Sequence, residues 1–281
     1  METQDLFAYK PYLFTIAYNM LGDISASEDL VQDTFEKWLS LDKTGVQSPK
    51  AYLSKIIFNK AIDLSNTLKK ERAAYKGLWM PEPILADNLE KQNEDTLEYA
   101  VLFLLEKLNP LERAVFILKE VFSYSHEKIA ELLDISTDNS RQLLHRAKAN
   151  VRSPKKKKEA ELGEHKKLID AFLLATYQKD FDKLKEIFLE DIVLYTDAGG
   201  KVSAALNPIY GITNVLKFFQ GVSKHQDGQV FEVKYIKVNS SDGVLIFKNG
   251  IIDTVLEIST SGGVISEVFF IRNPDKIKLP S

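Results

Sequence analysis

The first part of the chain has the hydrophobic pattern of amphipathic helices. Apolar residues recur at intervals of three and four up to about Lys76, as at Leu13, Ile16 and Met20. This spacing lines one face of an α-helix with side chains that can be buried. The pattern predicts a small all-helical domain over residues 1–76.

Two helix starts are marked inside that domain. Ser25 is followed three residues later by Glu28, which predicts a capping box, and Ser48 precedes Pro49. A serine cap followed by a proline suits the first turn of a helix, where the missing N–H of proline costs nothing.

The segment from Trp79 to Ile84 cannot continue a helix. Its two prolines remove backbone donors and push the residues before them to extended geometry. We therefore predict a linker over residues 77–95. A second helical domain over residues 96–153 follows, with Asn109-Pro110 as another capped start, and then a basic tether over residues 154–164.

After His165 the pattern changes. Two helical stretches, at about 165–178 and 180–189, lead into alternating segments rich in Val, Ile, Phe and Tyr. Such alternation predicts half-buried strands. The predicted strands are 231–238, 244–247, 251–258 and 264–271, separated by Asp242-Gly243, Asn249-Gly250 and Gly262-Gly263. We expect a multidomain chain, with two all-α domains and an α+β domain over residues 165–281.

Composition excludes several classes of protein. The 281 residues include no cysteine and only four scattered histidines. Disulfides, thiolate chemistry and metal sites are therefore not expected, and we assign no cofactor. No apolar run reaches the length of a membrane span, so we expect a cytoplasmic protein without a membrane partner.

The net charge of −3 hides an alternation of charge along the chain. Residues 46–78 carry seven basic and two acidic side chains, and residues 141–158 carry eight basic and none acidic. Basic blocks attract phosphate. Chance clustering on an ordinary solvated surface would give the same counts.

Residues 124–148 have the pattern of a helix-turn-helix. Ile129, Leu132 and Leu133 give the first helix an inner face, and the turn begins at Asp134, where the backbone is expected to be left-handed. A generic packed helix pair would also fit. The second helix turns outward side chains that suit a DNA major groove, namely Asn139, Ser140, Arg141, His145, Arg146 and Lys148.

Residues 1–155 resemble a bacterial sigma factor of the extracytoplasmic-function type in three places. Residues 27–35 resemble the helix that docks on RNA polymerase, residues 48–63 the segment that opens the minus-ten element, and residues 141–148 the helix that reads the minus-thirty-five element. The resemblance implies that the chain binds core RNA polymerase and promoter DNA and directs promoter-specific initiation. A DNA-binding regulator that never touches polymerase is the alternative.

Charge agrees with this division of the surface. An acidic helix suits a basic protein partner rather than DNA, and the expected polymerase contacts are Glu28, Asp29, Gln32, Asp33 and Glu36. Basic side chains near aromatic rings suit single-stranded DNA. The expected contacts there are Lys55, Asn59, Lys60, Asn66, Lys69, Lys70 and Arg72, near Tyr52, Phe58 and Tyr75, with Phe58 favoured as a core residue.

Residues 165–281 resemble the SnoaL-like fold, a cone of curved sheet over helices. Three short motifs resemble those of sigma factors that carry such a domain as a C-terminal extension: residues 79–84, 197–201 and 273–277. The family has Gly where this chain has Ala198, which places that loop in doubt. The resemblance implies that linker and extension pack together and regulate the sigma factor intramolecularly, without a separate inhibitor. The expected residues are Trp79, Pro81, Glu82, Pro83, Asp197, Gly199, Gly200, Lys201, Asn273, Pro274, Asp275 and Lys276.

An enzymatic alternative concerns the same cone. A buried Asp197, Tyr195 or Asp253 could act as a general base, and a cone pocket could hold a small-molecule ligand. No cofactor motif accompanies these residues, and a shared fold does not transfer activity. We therefore expect a protein that is not an enzyme, with a SnoaL-like isomerase or cyclase fused to a DNA-binding module as the lesser alternative.

Overall fold

The computed structural model describes residues 6–85, 95–151, 164–224 and 230–277. The chain divides into two compact units. We call residues 1–74 with 88–152 the helical unit, and residues 75–87 with 153–281 the sheet unit. The predicted linker is therefore divided, because its first part belongs with the sheet unit. Lys155 to Lys158 of the predicted tether lie outside the described residues.

The N-terminal half of the helical unit consists of α1 (Lys10–Leu21), α2 (Ile24–Leu39) and α3 (Pro49–Arg72). The Ser48 hydroxyl caps α3 by accepting a bond from the Ala51 amide, as predicted. The predicted capping box at Ser25 is wrong. Asp23 caps α2 instead, and its carboxylate accepts a 2.8 Å bond from the Ala26 amide.

The second half comprises α4 (Tyr99–Leu104), a 3-10 turn (Leu105–Lys107), α5 (Pro110–Phe116), a π-helical turn (Ile117–Val121), α6 (His126–Leu133) and α7 (Thr137–Asn150). The predicted start at Asn109 is confirmed as a reciprocal capping box with Glu112. Asp134 ends α6 at φ 54°, in the predicted left-handed region.

The two halves of the helical unit pack against each other through α1. The buried side chain of Asn19 donates to the Asp95 carbonyl at 2.8 Å and accepts from the Leu97 amide at 3.2 Å. The Asn19 carbonyl accepts from Arg113 Nε at 2.8 Å. Both polar ends of one buried amide are thus satisfied by the segment that begins the second half.

The sheet unit contains the helices α8 (Glu164–Gln178), α9 (Phe181–Ile187) and α10 (Ile212–Ser223). Its strands are β1 (Phe188–Asp197), β2 (Ile209–Tyr210), β3 (Phe231–Val238), β4 (Ser241–Lys248), β5 (Ile251–Ser261) and β6 (Val264–Ile271). Within the described residues they form one sheet in the order β2-β1-β6-β5-β4-β3. The β1–β6 pair is parallel and the other neighbours are antiparallel.

The core of the sheet unit lies between one face of this sheet and the helices. Phe172 of α8 packs edge-on against Phe219 of α10, with ring centroids 5.6 Å apart, and also contacts Phe188 and Phe270. The α+β cone that the sequence predicts is confirmed. The predicted helix at 180–189 runs too far, because β1 begins at Phe188.

No helix in the described ranges combines the length and the apolar character that a bilayer crossing requires.

Candidate functional site

The predicted polymerase-facing residues share one face of α2. Glu28, Asp29, Gln32, Asp33 and Glu36 are all exposed, whereas the intervening Leu30, Val31, Thr34 and Phe35 are buried. The structure therefore brings these five residues together on one acidic surface, which we call the acidic face. A surface of this charge suits a partner with exposed Lys and Arg.

The predicted DNA contacts of α3 lie on its solvent side, with one exception. Lys55, Asn59, Asn66, Lys69 and Lys70 are exposed and Lys60 is half-exposed. Phe58 is fully buried, as favoured from the sequence, and Tyr52 is partly exposed beside Trp38, with ring centroids 5.8 Å apart. We call this set of cations and amides the basic face.

Arg72 is the exception, and it corrects the predicted basic face. Its guanidinium donates to the Leu21 carbonyl at 2.6 Å and to Glu106 at 2.8 Å. Glu106 also pairs with Arg113, whose side chain is only 5% exposed. Arg72 is thus used inside the helical unit, where it joins the end of α3 to the second half.

Two further residues of the N-terminal half contact the helix-turn-helix side of the unit. Lys55 Nζ lies 3.4 Å from the Glu131 carbonyl on α6. The Tyr12 hydroxyl lies 3.0 Å from Ser54 Oγ and 3.2 Å from the Tyr124 hydroxyl. Burial is the main cause that raises the pKa of Tyr12, so the phenol stays neutral.

The helix-turn-helix is formed by α6 and α7 as predicted, and the outer face of α7 presents most of the predicted DNA contacts. Arg141, His145, Arg146 and Lys148 are exposed and Asn139 is half-exposed. Arg141 pairs with Asp138 at 2.8 Å, and Lys148 pairs with Glu120 at 2.8 Å. These exposed ion pairs are weak, so the cations can exchange them for DNA phosphates.

Ser140 corrects the predicted outer face. It is fully buried, and its hydroxyl lies 2.8 Å from Nδ1 of His126 at the start of α6. Ser140 therefore holds the two helices together and does not face a groove. Burial and the nearby Lys119 and Arg141 lower the pKa of His126.

In the sheet unit, the buried carboxylate of Asp197 binds the linker segment, by which we mean residues 75–85. Asp197 accepts a 2.9 Å bond from the Met80 amide and a short bond from the Tyr75 hydroxyl. Burial and the bond to Asp197 raise the pKa of Tyr75. Tyr75 thus has a role that charge patterning, which placed it beside the basic face, did not indicate.

Lys276 completes this arrangement. Its Nζ lies 2.7 Å from Asp197 and 2.5 Å from the Met80 carbonyl oxygen, and 4.2 Å from the centroid of the Trp79 ring. Asn273 donates to the Tyr75 hydroxyl at 2.8 Å. We call Asp197, Asn273 and Lys276 the linker clamp. Within the linker segment Met80, Pro81, Pro83, Ile84 and Leu85 are buried, while Trp79 and Glu82 are half-buried.

The remaining predicted regulatory residues surround the clamp. Lys201 forms an exposed ion pair with Asp275, and Pro274 lies in the same turn between Asn273 and Lys276. Gly199 and Gly200 have φ values of 58° and 71°, which glycine adopts without strain. Ala198 is absent from the positive-φ positions of the described chain, so its place in this loop does not require glycine.

The candidate general bases of the cone are all engaged in structural contacts. Asp253 accepts hydrogen bonds from Nε and Nη2 of the Arg272 guanidinium, at 2.9–3.3 Å. Burial alone would raise the pKa of Asp253, but the bonds from Arg272 and Thr254 lower it. Tyr195 stacks on Phe269, and burial raises its pKa. Among the described residues, no three Asp, Glu or His side chains converge as metal ligands would.

Comparison with known proteins matches the two halves of the helical unit to two families. Residues 7–72 match Sigma-70 region 2, and residues 99–151 match Sigma-70, region 4. The whole chain is 25% identical to the ECF RNA polymerase sigma factor SigJ of Mycobacterium tuberculosis, over 98% of this chain and 93% of SigJ. The crystal structure of SigJ superposes with a TM-score of 0.78, covering 98% of both chains. The chain is an extracytoplasmic-function sigma factor.

A second relative supports the same architecture for this sigma factor. It is 25% identical to the probable ECF RNA polymerase sigma factor SigI of M. tuberculosis, over 96% of this chain and 92% of that relative. Region 2 of this sigma factor ends with α3, and region 4 begins with α4. The linker segment therefore lies between the two matched regions.

Proposed function

We propose that this sigma factor binds core RNA polymerase through the acidic face of α2 and promoter DNA through the basic face of α3 and the outer face of α7. The family matches give the class of function, and the separation of charge on the described surface supports these assignments. The observation that carries them is that four acidic side chains of α2 and Gln32 share one exposed face. Chemistry at initiation then belongs to the polymerase, and the sigma factor itself is not an enzyme.

The engaged state of Asp197, Tyr195 and Asp253 supports the non-enzymatic reading. A general base needs a carboxylate or phenolate that can reach a substrate proton. Asp253 is held by Arg272, and Asp197 is held by the linker segment. A small-molecule ligand of the cone is not part of the proposal.

We further propose that the linker clamp regulates initiation within the chain. Residues 75–85 belong to the chain segment that connects region 2 to region 4. While they are bound to the sheet unit, they cannot extend to let the two regions separate. Releasing them adds about eleven residues of free chain, which is about 35 Å when extended. The clamp thereby controls how far apart the two DNA-binding regions can move. No separate inhibitor is needed for this step.

Core binding is tested with one pair of variants. Asp29→Lys reverses a charge on the acidic face, and Asp182→Lys reverses an exposed charge on α9. We expect Asp29→Lys to weaken capture of core polymerase and Asp182→Lys to leave it unchanged. Equal capture by both variants would remove the assignment of the acidic face.

Promoter recognition is tested on a pool of genomic promoter fragments transcribed by core polymerase with the purified sigma factor. Arg141→Ala should cost about 1–3 kcal/mol at one base position if Arg141 reads a base. A loss that is uniform across sequences would assign Arg141 to phosphate. If the unaltered chain binds no core and yields no specific transcript, the proposed mode of action fails.

Regulation is tested by opening the clamp in the same transcription assay. Asp197→Asn removes the charge that Lys276 and the Tyr75 hydroxyl recognise, and it keeps the size of the side chain. We expect the transcript yield to change, and hydrogen exchange of the Met80 amide to accelerate. Faster exchange without any change in transcription would show that the clamp opens but does not regulate.

A further inference from the structure

The tip of the β3–β4 hairpin contacts the linker segment at a place separate from the linker clamp. Asn239 and Ser240 connect the two strands with φ values of 48° and 70°. Two successive residues at positive φ are typical of a type I′ turn, and Asn is favoured at its first position. The sequence instead indicated Asp242-Gly243 as the turn, and those residues lie inside β4.

The Asn239 contact with Ile84 is reciprocal. The Ile84 amide donates to Asn239 Oδ1 at 2.9 Å, and the Asn239 amide donates to the Ile84 carbonyl at 2.9 Å. The next residue, Leu85, forms an antiparallel bridge with Val238. Asn239, Ile84 and Leu85 are all buried. The end of the linker segment therefore extends the edge of β3 by one bridge, in the manner of strand addition.

The hairpin tip and the linker clamp bind the linker segment in the same way. Asp197 and Lys276 take the N–H and C=O of Met80, and Asn239 takes the N–H and C=O of Ile84. Between them lie Pro81-Glu82-Pro83, in which each proline fixes its own φ. Four residues of such a chain span about 12 Å at the rise of polyproline II.

A stiff spacer makes the two attachments support each other. When one end of a semi-rigid segment is bound, the other end stays near its own site, so its effective concentration is high. A flexible spacer of the same length would explore more positions. Two modest attachments can in this way hold the linker segment more firmly than either alone.

We propose that Asn239 is a second anchor of the linker segment, a binding site for the backbone of Ile84 that is separate from Asp197 and is reinforced by it. This inference rests on the proposed function only for its effect on transcription. The binding itself is a property of the sheet unit.

The experiment compares two glycine variants of the same turn in the full chain. Asn239→Gly keeps the left-handed backbone and removes the side-chain acceptor of the Ile84 amide. Ser240→Gly changes the adjacent exposed position, which also has positive φ. Residue-resolved hydrogen exchange then follows the amides of Ile84 and Met80.

In Asn239→Gly we expect the Ile84 amide to exchange about tenfold faster than in Ser240→Gly, as the loss of one buried hydrogen bond implies. The Met80 amide should change less, because Asp197 still accepts from it. In Asp197→Asn we expect the reverse, with exchange of the Met80 amide accelerated more than exchange of the Ile84 amide. Equal exchange of the Ile84 amide in the two glycine variants would overturn the proposal and leave Asn239 as a turn residue only.

The transcription assay separates this inference from the proposed function. Faster exchange at Ile84 together with altered transcript yield supports both. Faster exchange with unchanged yield supports the anchor and contradicts regulation by the linker segment. Unchanged exchange with altered yield contradicts the anchor alone.

Discussion

Gly199 and Asn273 approach so closely that a Cβ atom on Gly199 would lie 2.6 Å from Asn273 Nδ2. The same Asn273 nitrogen donates to the Tyr75 hydroxyl at 2.8 Å. The loop after β1 therefore leaves room for the Asn273 amide only because residue 199 has no side chain. This contact joins the glycine of one motif directly to the asparagine of another, and that asparagine binds the linker segment.

Gly199→Ala should loosen the linker segment by displacing the Asn273 amide from Tyr75. The matched control is Gly262→Ala, because Gly262 has a φ of 61°, close to the 58° of Gly199, but nothing lies within 4 Å of its Cβ position. In both variants an alanine in the left-handed region lowers the free energy of unfolding by about 1–2 kcal/mol.

Limited proteolysis within residues 75–85 measures the difference. We expect faster cleavage in Gly199→Ala than in Gly262→Ala, in addition to the destabilisation that both share. Cleavage at the same rate would mean that only the backbone strain matters and that the Asn273 contact does not.

Lys276→Met should destabilise the sheet unit strongly. It leaves the fully buried Asp197 carboxylate without its cation, and loss of one partner of a buried ion pair typically costs about 3–5 kcal/mol. Lys201→Met is the control, because its pair with Asp275 is about half-exposed on both sides and contributes about 0–1 kcal/mol. Urea unfolding followed by Trp79 fluorescence, with both variants made in a Trp38→Phe background, measures both.

The outcome also decides which lysine matters for the linker segment. Both Lys201 and Lys276 are among the regulatory residues expected from the sequence. A larger effect of Lys201→Met than of Lys276→Met would contradict the geometry described above.

Glu106→Gln should destabilise the helical unit by about 3 kcal/mol, because Arg113 is almost fully buried and Glu106 is its ion-pair partner. Glu131→Gln is the control, since Glu131 forms an exposed pair with Lys128 whose contribution is largely screened by solvent. Thermal unfolding followed by far-ultraviolet circular dichroism gives the two shifts. Equal shifts would show that Glu106 does not hold the two halves together.

The helix-turn-helix should lose stability as the pH falls below about 6.5, the ordinary pKa of histidine. The fold lowers the pKa of His126 through burial and the positive charges of Lys119 and Arg141. The unfolded chain then binds the proton more readily than the folded one. The stabilisation is fully present above pH 6.5 and is lost as the pH falls toward the folded pKa.

A nuclear magnetic resonance titration of the His126 ring measures that pKa directly, and it should lie below 6.5. In His126→Asn the side chain no longer titrates in this range. The dependence of region 4 stability on pH between 5 and 7 should therefore become flatter. An equally steep dependence in His126→Asn would assign the effect to another group.

Local signals in the sequence predicted much of the fold. The helical spacing, the caps at Ser48 and Asn109 and the left-handed Asp134 all depend on a few neighbouring residues, and the structure confirms them. Phe58 was correctly favoured as core because it lies on the apolar stripe of α3. The strands β3 to β6 are also predicted correctly, although β5 is buried over seven consecutive residues and not at alternate ones.

Contacts between distant residues were the source of the errors. Arg72 is predicted to be a surface cation because none of its neighbours in the sequence indicates that Glu106 will pair with it. Ser140 lies beside the apolar residues of α7. It is buried because His126 of α6 packs against it, and the sequence near Ser140 does not indicate this contact. Gly243 suggested a turn, but its lack of a side chain serves packing, since a Cβ there would lie 2.6 Å from Val238 Cγ2.

The ion pair between Lys60 of the basic face and Asp33 of the acidic face, 2.8 Å long, makes the two proposed binding surfaces thermodynamically linked. When a DNA phosphate binds Lys60, the ion pair breaks and Asp33 can bind a cation of the polymerase. When the polymerase binds Asp33, Lys60 can likewise bind a phosphate. Each partner therefore removes a competitor of the other. The resulting positive cooperativity is bounded by the strength of one exposed pair, about 1 kcal/mol or less, and by linkage it is equal in both directions.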